Sequence, residues 1–360
     1  MNAVKLGISS FLILLTLAAC NEVFYADDIV SDEKIPVIQG IILEGQSPEV
    51  KLTWATNYEE SGINYITGAS VQISDDMGNE EVLEETTEGT YIPVDGSFKG
   101  IRGRTYELHV ELPSGTVFES RPEKILPPPE LDSMYAIPLV KTIYELNAYG
   151  NLIGREQEGL EIMAALYRTT DSVCYFRFRT DVLTQITYTL NPNSLMPTDV
   201  YEWKSSILDN VFDVEYTYGL GALQVVPEHN PGFVEFVYNS FLSNDASTAP
   251  YTYGWVVSMH VSSVSANIYN YYNSIAQQLN GTNLIFAPVP SQIKGNITCS
   301  SNKDEKVIGA FEAGSERTYY KAYAWKNDSS YIRKDLEDFP SGLDDGRTYN
   351  LPPAFWVDLH

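Results

Sequence analysis

Four residues near the amino terminus, Leu17-Ala18-Ala19-Cys20, have the types and spacing of a lipid-attachment signal. They end an apolar run that begins at Leu6, after a single Lys5, and that is too short to cross a bilayer as a helix. The small residues before Cys20 leave room for a peptidase, after which the thiol would carry lipid such as palmitate. We therefore expect a signal peptide over residues 1–19 and a lipidated Cys20. The alternative is an ordinary signal peptide with a chance cysteine.

Residues 20–34 are acidic and lack a clear hydrophobic period, which predicts a flexible tether. The whole chain has 360 residues and a formal net charge of -25. Nucleic acid and anionic lipid would be repelled by so acidic a protein, so neither is an expected partner. The membrane is expected to be reached through the lipid anchor alone.

Catalytic and metal-binding motifs are missing from the sequence. The four histidines, His109, His229, His260 and His360, show no metal-ligand spacing. The chain has no G-x-S-x-G elbow and no Walker loop. Its many acids could supply the carboxylate pair of a glycoside hydrolase, but a sequence does not give their separation. We expect no enzymatic activity, no metal and no cofactor.

Two cysteines remain after Cys20. Outside the inner membrane, Cys174 and Cys299 could form a disulfide. Each also lies in an apolar, strand-like segment, where a buried free thiol is common. Both alternatives stay open at this point.

Aromatic residues make up 12% of the chain, with 25 tyrosines and 5 tryptophans. Aromatic faces stack on sugars and anchor protein partners, but they also suit half-buried strands. The candidates for contact with a glycan, a peptide or a partner protein are Tyr251, Tyr253, Trp255, Tyr323 and Trp325.

The elements that must position these residues are mostly strands. About seven short strands with turn signals predict an immunoglobulin-like β-sandwich over residues 35–121. Consecutive prolines within residues 122–131 indicate a linker. Residues 132–360 are expected to form a larger β-rich domain. Apolar residues at Ile268, Tyr272, Ile275 and Leu279 predict one packed helix over about 265–280, with Ser263 or Ser265 as its cap.

Several segments resemble a family of uncharacterised lipoproteins, catalogued as domain of unknown function 4249. The resemblance runs from about residue 17 to about 325. It is carried by residues 68–78, 100–108, 127–133, 269–275 and 307–313, and most specifically by residues 284–297, LIFAPVPSQIKGNI. Within that last block, Pro288 and Pro290 prevent regular strand pairing and Gly295 allows a tight backbone approach. The block could serve packing or the docking of a partner.

Members of this family occur in Bacteroidetes-type bacteria as outer-membrane lipoproteins, commonly beside TonB-dependent transporters. The acid close behind Cys20, at Glu22, also resembles the surface-export signals of such bacteria. The resemblance implies a lipid-anchored, cell-surface protein of the outer membrane that captures substrate for a transporter or serves it as a scaffold. It implies no catalytic residues. The alternative is a stand-alone glycan-binding protein or adhesin, and an enzyme is a third reading.

Overall fold

The computed structural model describes residues 34–55, 62–167, 173–190, 195, 198–208, 212–217, 225–235, 251–281, 293–325, 331–335 and 348–349. Cys20 and the predicted tether up to residue 33 lie outside them. The described part is mainly β with one α-helix, which confirms the predicted fold class. Except for Lys34 and Gly62, the described residues belong to one compact unit, Ile35–Ala55 with Ile63–His360. Within it, the helix is not long and apolar enough to span a membrane.

The first nine strands come from the segment predicted as a sandwich and its linker. They are β1 Pro36–Leu43, β2 Glu49–Trp54, β3 Asn64–Tyr65, β4 Ser70–Asp75, β5 Glu80–Thr87, β6 Thr90–Pro93, β7 Thr105–Glu111, β8 Val117–Ser120 and β9 Glu123–Lys124. Alternation decides which face is buried: in β4, Val71 and Ile73 lie inside while Ser70 lies outside. The strands curl around one apolar core that includes Ile38, Leu52 and Phe118.

Two strands that come after residue 131 in the sequence also belong to this first sheet. A short strand, β17 (Ile297–Cys299), pairs with β8, and the first residues of β18 (Ile308–Trp325) pair in parallel with β1. The predicted division at residues 122–131 therefore needs correction, because strands on both sides of it share one core. The segment also contains β9 rather than linker alone.

Two glycines make the entry of β18 into this sheet possible. Gly309 has φ +115° and lies so close to β1 that a Cβ there would be 1.9 Å from the Ile38 carbonyl oxygen. A Cβ on Gly295 would lie 1.7 Å from the Gly309 oxygen. Gly295 therefore allows a close backbone approach, as predicted, and this part of the family block packs against the sheet.

The second half of β18 belongs to another group of strands. It pairs with β16 (Tyr251–Val264), which in turn pairs with β12 (Tyr175–Leu190). Smaller strands extend this group: β13 Thr198–Ile207, β14 Asp213–Tyr216, β19 Tyr331–Asp335 and β20 Thr348–Tyr349. The core here includes Phe176, Phe178, Trp255, Met259 and Tyr323.

A separate three-stranded sheet consists of β10 (Glu130–Leu146), β11 (Leu152–Tyr167) and β15 (Val225–Glu235). The hairpin of β10 and β11 is paired along its whole length, from Glu130 with Tyr167 to Leu146 with Leu152. In contrast, β15 reaches β11 only from Gly159 to Tyr167.

The helix α1 covers Ala266–Gly281, close to the predicted bounds. Ser265 is its cap, since the Ile268 N–H donates to the Ser265 Oγ at 3.3 Å. Ile268, Tyr272 and Ile275 pack towards the sheet as predicted. Leu279 does not, because its side chain is 56% exposed.

Candidate functional site

The far end of the β10–β11 hairpin carries large apolar side chains that no described residue covers. We call residues 139–153 the apolar ribbon. A tight turn closes it: the Asn147 Oδ1 accepts the N–H groups of Tyr149 and Asn151, each at 2.9 Å. Gly150, with φ +76°, supplies the left-handed position that this turn needs.

Apolar side chains on both faces of the ribbon are open to solvent. Tyr149 is 89% exposed, Leu146 71% and Leu152 65%. The neighbours Leu139 and Val140 point to opposite faces of their strand, and both are exposed. The ribbon's two charges are paired, Lys141 with Glu161 at 2.9 Å and Glu145 with Arg155 at 3.0 Å. A cluster of this kind is typical of a surface that binds a partner.

The base of the hairpin is fastened to β18. The Leu131 N–H donates to the Tyr319 hydroxyl at 3.0 Å, and that hydroxyl donates to the Pro129 carbonyl at 3.0 Å. Lys321 donates to the Met134 carbonyl at 2.6 Å. The ribbon is thus the end of a fixed strand pair rather than a loose loop.

A buried ion pair lies between α1 and the strands below it. The Arg177 guanidinium on β12 lies 3.2 Å from the Glu312 carboxylate on β18 and 5.1 Å from the centre of the Tyr272 ring. The Tyr272 hydroxyl donates to the other Glu312 oxygen at 3.1 Å. Burial and the Glu312 charge raise the pKa of Tyr272 well above its usual range. The phenol therefore stays protonated and holds the helix to the sheet.

A second polar cluster joins the end of the first sheet to α1. The Asn296 side chain bonds both the N–H and the carbonyl of Phe311 at 2.8 Å. It also donates to the Glu123 carboxylate at 2.9 Å, which Asn267 on α1 reaches at 3.1 Å. Burial raises the pKa of Glu123, against the hydrogen bonds that lower it. The Asn296 side chain thus links the residues before β17 to β18 and, through Glu123, to α1.

His229 and His260 are each held between two acids, which the sequence did not reveal. The His229 Nε2 lies 2.7 Å from the Asp213 carboxylate, and its Nδ1 lies 3.5 Å from that of Glu215. Burial opposes the imidazolium, but these hydrogen bonds outweigh it and raise the pKa of His229 to about 9. Burial in turn raises the pKa of Asp213. A histidine that stays protonated at neutral pH is neither a metal ligand nor a general base.

The second such histidine follows the same pattern on β16. The His260 Nε2 lies 3.0 Å from the Asp181 carboxylate, and its Nδ1 lies 3.5 Å from that of Glu316. Burial again opposes the charge, and the hydrogen bonds again raise the pKa of His260. Over the described ranges, no cluster of three or more histidine, cysteine or acidic side chains could hold a metal ion.

The predicted aromatic candidates do not form one exposed face. Trp255 and Tyr323 are fully buried in the second core, so these two have no surface to offer a ligand. Their burial follows from the register, in which Trp255 and Tyr323 are cross-strand partners in the middle of the sheet. The structure describes only the backbone of Tyr251, Tyr253 and Trp325, whose side chains lie outside the described part.

The two cysteines are free in the structure and do not form the disulfide considered above. They belong to different cores: Cys299 is buried in the first, and Cys174 packs, half-buried, against the second. The other alternative, a free thiol in an apolar setting, describes both.

Comparison with known proteins gives a family and no named relative. The family model described as domain of unknown function (DUF4249) matches residues 24–320. No curated protein and no solved structure matches the chain significantly. Since the match covers most of the sequence, the chain belongs to the DUF4249 family, as its sequence motifs predicted.

Proposed function

We propose that this protein is a lipoprotein of the outer membrane, anchored through Cys20 at the cell surface, and a non-enzymatic subunit of a TonB-dependent nutrient-uptake system. The lipid would hold the protein at the membrane, and residues 21–34 would give it reach. Tethering raises the local concentration of the protein at a transporter, so modest contacts suffice for a lasting complex. The sequence motif at residues 17–20 and the family resemblance support the location.

The exposure of the apolar ribbon is the observation that best supports docking to a transporter. Its exposed Tyr144, Leu146, Tyr149 and Leu152 would be costly to leave in water unless a partner covers them. Its attachment to Tyr319 and Lys321 fixes the base of the hairpin before binding, so little ordering has to accompany docking. Tyrosines such as Tyr144 and Tyr149 are typical anchors of protein interfaces, and the leucines beside them add apolar area that a partner would bury.

The experiment is an affinity purification of the tagged full chain from gently solubilised membranes of its own bacterium. We expect a large TonB-dependent barrel to co-purify with the wild type. The variant Leu146→Ser/Leu152→Ser removes the paired apolar side chains at the ribbon's end and should lose the barrel. The matched control Val82→Ser/Val94→Ser removes two valines that are 60% and 69% exposed elsewhere on the surface and should keep it.

Two results would overturn the proposal. One is a wild-type protein that purifies without any barrel, from a strain whose uptake is unchanged by deletion of the gene. The other is a ribbon variant that retains the barrel as well as the control does.

A further inference from the structure

A surface cleft of about 830 Å³ lies beside β17, at the end of the first sheet, and shares no residue with the apolar ribbon. One wall is β17 with the two residues before Asn296. The other is the loop 300–307 that leads into β18, and Arg121 closes the cleft after β8. The volume is that of a site for a small molecule such as a short oligosaccharide.

The charge of the cleft is opposite to that of the protein. Four cations line it, contributed by three separate segments of the chain: Arg121, Lys294, Lys303 and Lys306. Only two acids, Asp304 and Glu305, line it with them. This excess of cations occurs in a chain with 48 acids and 23 lysines and arginines. The field of the whole protein repels anions, so a local cationic cleft is a specific departure from it.

Three of these cations have no internal partner in the described part of the chain. Arg121, Lys294 and Lys303 are exposed, and none takes part in an ion pair or side-chain hydrogen bond there. By contrast, three arginines elsewhere in the described chain each lie within 3.0 Å of an acidic side chain: Arg102, Arg104 and Arg155. The cleft therefore contains three cations, Arg121, Lys294 and Lys303, that have no ion-pair partner among the described residues.

The loop that carries two of the lysines is held in place. The Ser300 N–H donates to the Val117 carbonyl at 2.9 Å, and the Val117 N–H donates to the Ser301 Oγ at 3.1 Å. The turn that follows is closed by the Glu305 N–H, which donates to the Asn302 carbonyl at 3.1 Å. The backbone of the loop that carries Lys303 and Lys306 is thus set before any ligand arrives, which lowers the cost of binding.

We infer that this cleft binds a small ligand carrying two or more anionic groups, either the carboxylates of an acidic sugar or phosphates. Lysine ammonium groups bind both kinds as point charges, and Arg121 adds a planar donor suited to either. The inference deepens the proposed function by naming the class of cargo, and it rests on that function only for the ligand's role as cargo. Binding itself needs no transporter.

The test is isothermal titration calorimetry with the purified full chain at low salt. The probes are trigalacturonate, which carries carboxylates, pyrophosphate, and neutral maltotriose. We expect the wild type to bind one or both anionic probes and to leave maltotriose unbound, with affinity that falls as NaCl is added. Binding of trigalacturonate alone identifies carboxylates as the ligand groups, and binding of pyrophosphate alone identifies phosphates.

The variant Lys294→Glu/Lys303→Glu reverses two cations of the cleft. Its affinity for the bound probe should fall at least about tenfold, because attraction is replaced by repulsion. The control Lys99→Glu/Lys204→Glu changes the net charge equally at two exposed lysines outside the cleft and should bind within about twofold of the wild type. Unchanged circular dichroism and unfolding midpoints show that both variants fold.

The inference is overturned if neither anionic probe binds the wild type at millimolar concentration, or if the reversal variant binds as the control does. These outcomes are separate from the purification experiment. A protein can lose its barrel on mutation of the ribbon and still bind anions, or the reverse, so the failure of each proposal is visible on its own.

Discussion

The stability of the protein should depend on pH between 6.5 and 9 through His229. Its pKa is raised from 6.5 to about 9 in the folded state, where Asp213 and Glu215 hold the imidazolium. A group with a raised folded pKa contributes stability in full below its unfolded pKa, and this is lost as the pH rises through the folded value. At about 1.4 kcal/mol per pKa unit, the difference between 6.5 and 9 corresponds to at most about 3.5 kcal/mol.

The assay is urea unfolding at constant ionic strength at pH 6.5, 7.5, 8.5 and 9.0, a series that runs from the unfolded pKa of the histidine to its folded pKa. The comparison is with Asp213→Asn/His229→Gln, which removes both members of the closest pair and leaves no buried carboxylate unpartnered. We expect the wild type to lose about 3 kcal/mol more than this variant over the range.

The reasoning is refuted if the wild type and the double variant lose the same stability between pH 6.5 and 9. It is also refuted if the His229 ring titrates near 6.5 in a nuclear magnetic resonance experiment on the folded protein, since the imidazolium would then gain nothing from its two acids.

Three further predictions concern the core and the anchor. Gly309→Ala should lower the free energy of unfolding by at least about 2 kcal/mol in urea titration, because a side chain there meets the backbone of β1 at an unfavourable φ. Gly45→Ala, with open space around it, should cost less, and equal costs would contradict the assignment. Arg177→Leu should cost about 3–5 kcal/mol by leaving the Glu312 carboxylate buried without its counter-ion, and Arg177→Leu/Glu312→Leu should recover part of this in the same titration; no recovery would argue against the pair. Cys20→Ser should move the protein from the membrane to the soluble fraction at an unchanged unfolding midpoint, and continued membrane association would count against lipid anchoring.

The sequence predicts best those features that depend on neighbouring residues. The helix α1 could be placed because Ile268, Tyr272 and Ile275 recur at a helical period and Ser265 is a good cap. The strand alternation of Val71 and Ile73 has the same local origin. The close backbone approach at Gly295 was also expected from the sequence, since glycine has no side chain to obstruct it.

The pairings between distant segments could not be read from the sequence. His260 meets Asp181, 79 residues away, only because β12 and β16 pair in one particular register. The parallel pairing of β1 with β18 joins the two ends of the described chain, and no local pattern specifies it. These contacts depend on which strands become neighbours, which is decided by the packing of the whole core.

The candidate sites could not be predicted from the sequence for a related reason. Val140, Tyr144 and Leu146 look like one apolar face of an ordinary core strand, and only the absence of a covering layer in the described structure makes them a surface. Trp255 and Tyr323 look equally suited to a surface, yet the sheet buries them. Exposure is a property of what lies opposite a residue rather than of its type.

The ribbon and the cationic cleft are both connected to β18. The Tyr319 and Lys321 side chains of this strand fasten the base of the ribbon, while its first residues follow directly from the loop that carries Lys303 and Lys306. Binding at one feature does not require residues of the other, because no side chain belongs to both. Docking through the ribbon, as proposed above, would therefore engage none of the side chains that line the cleft.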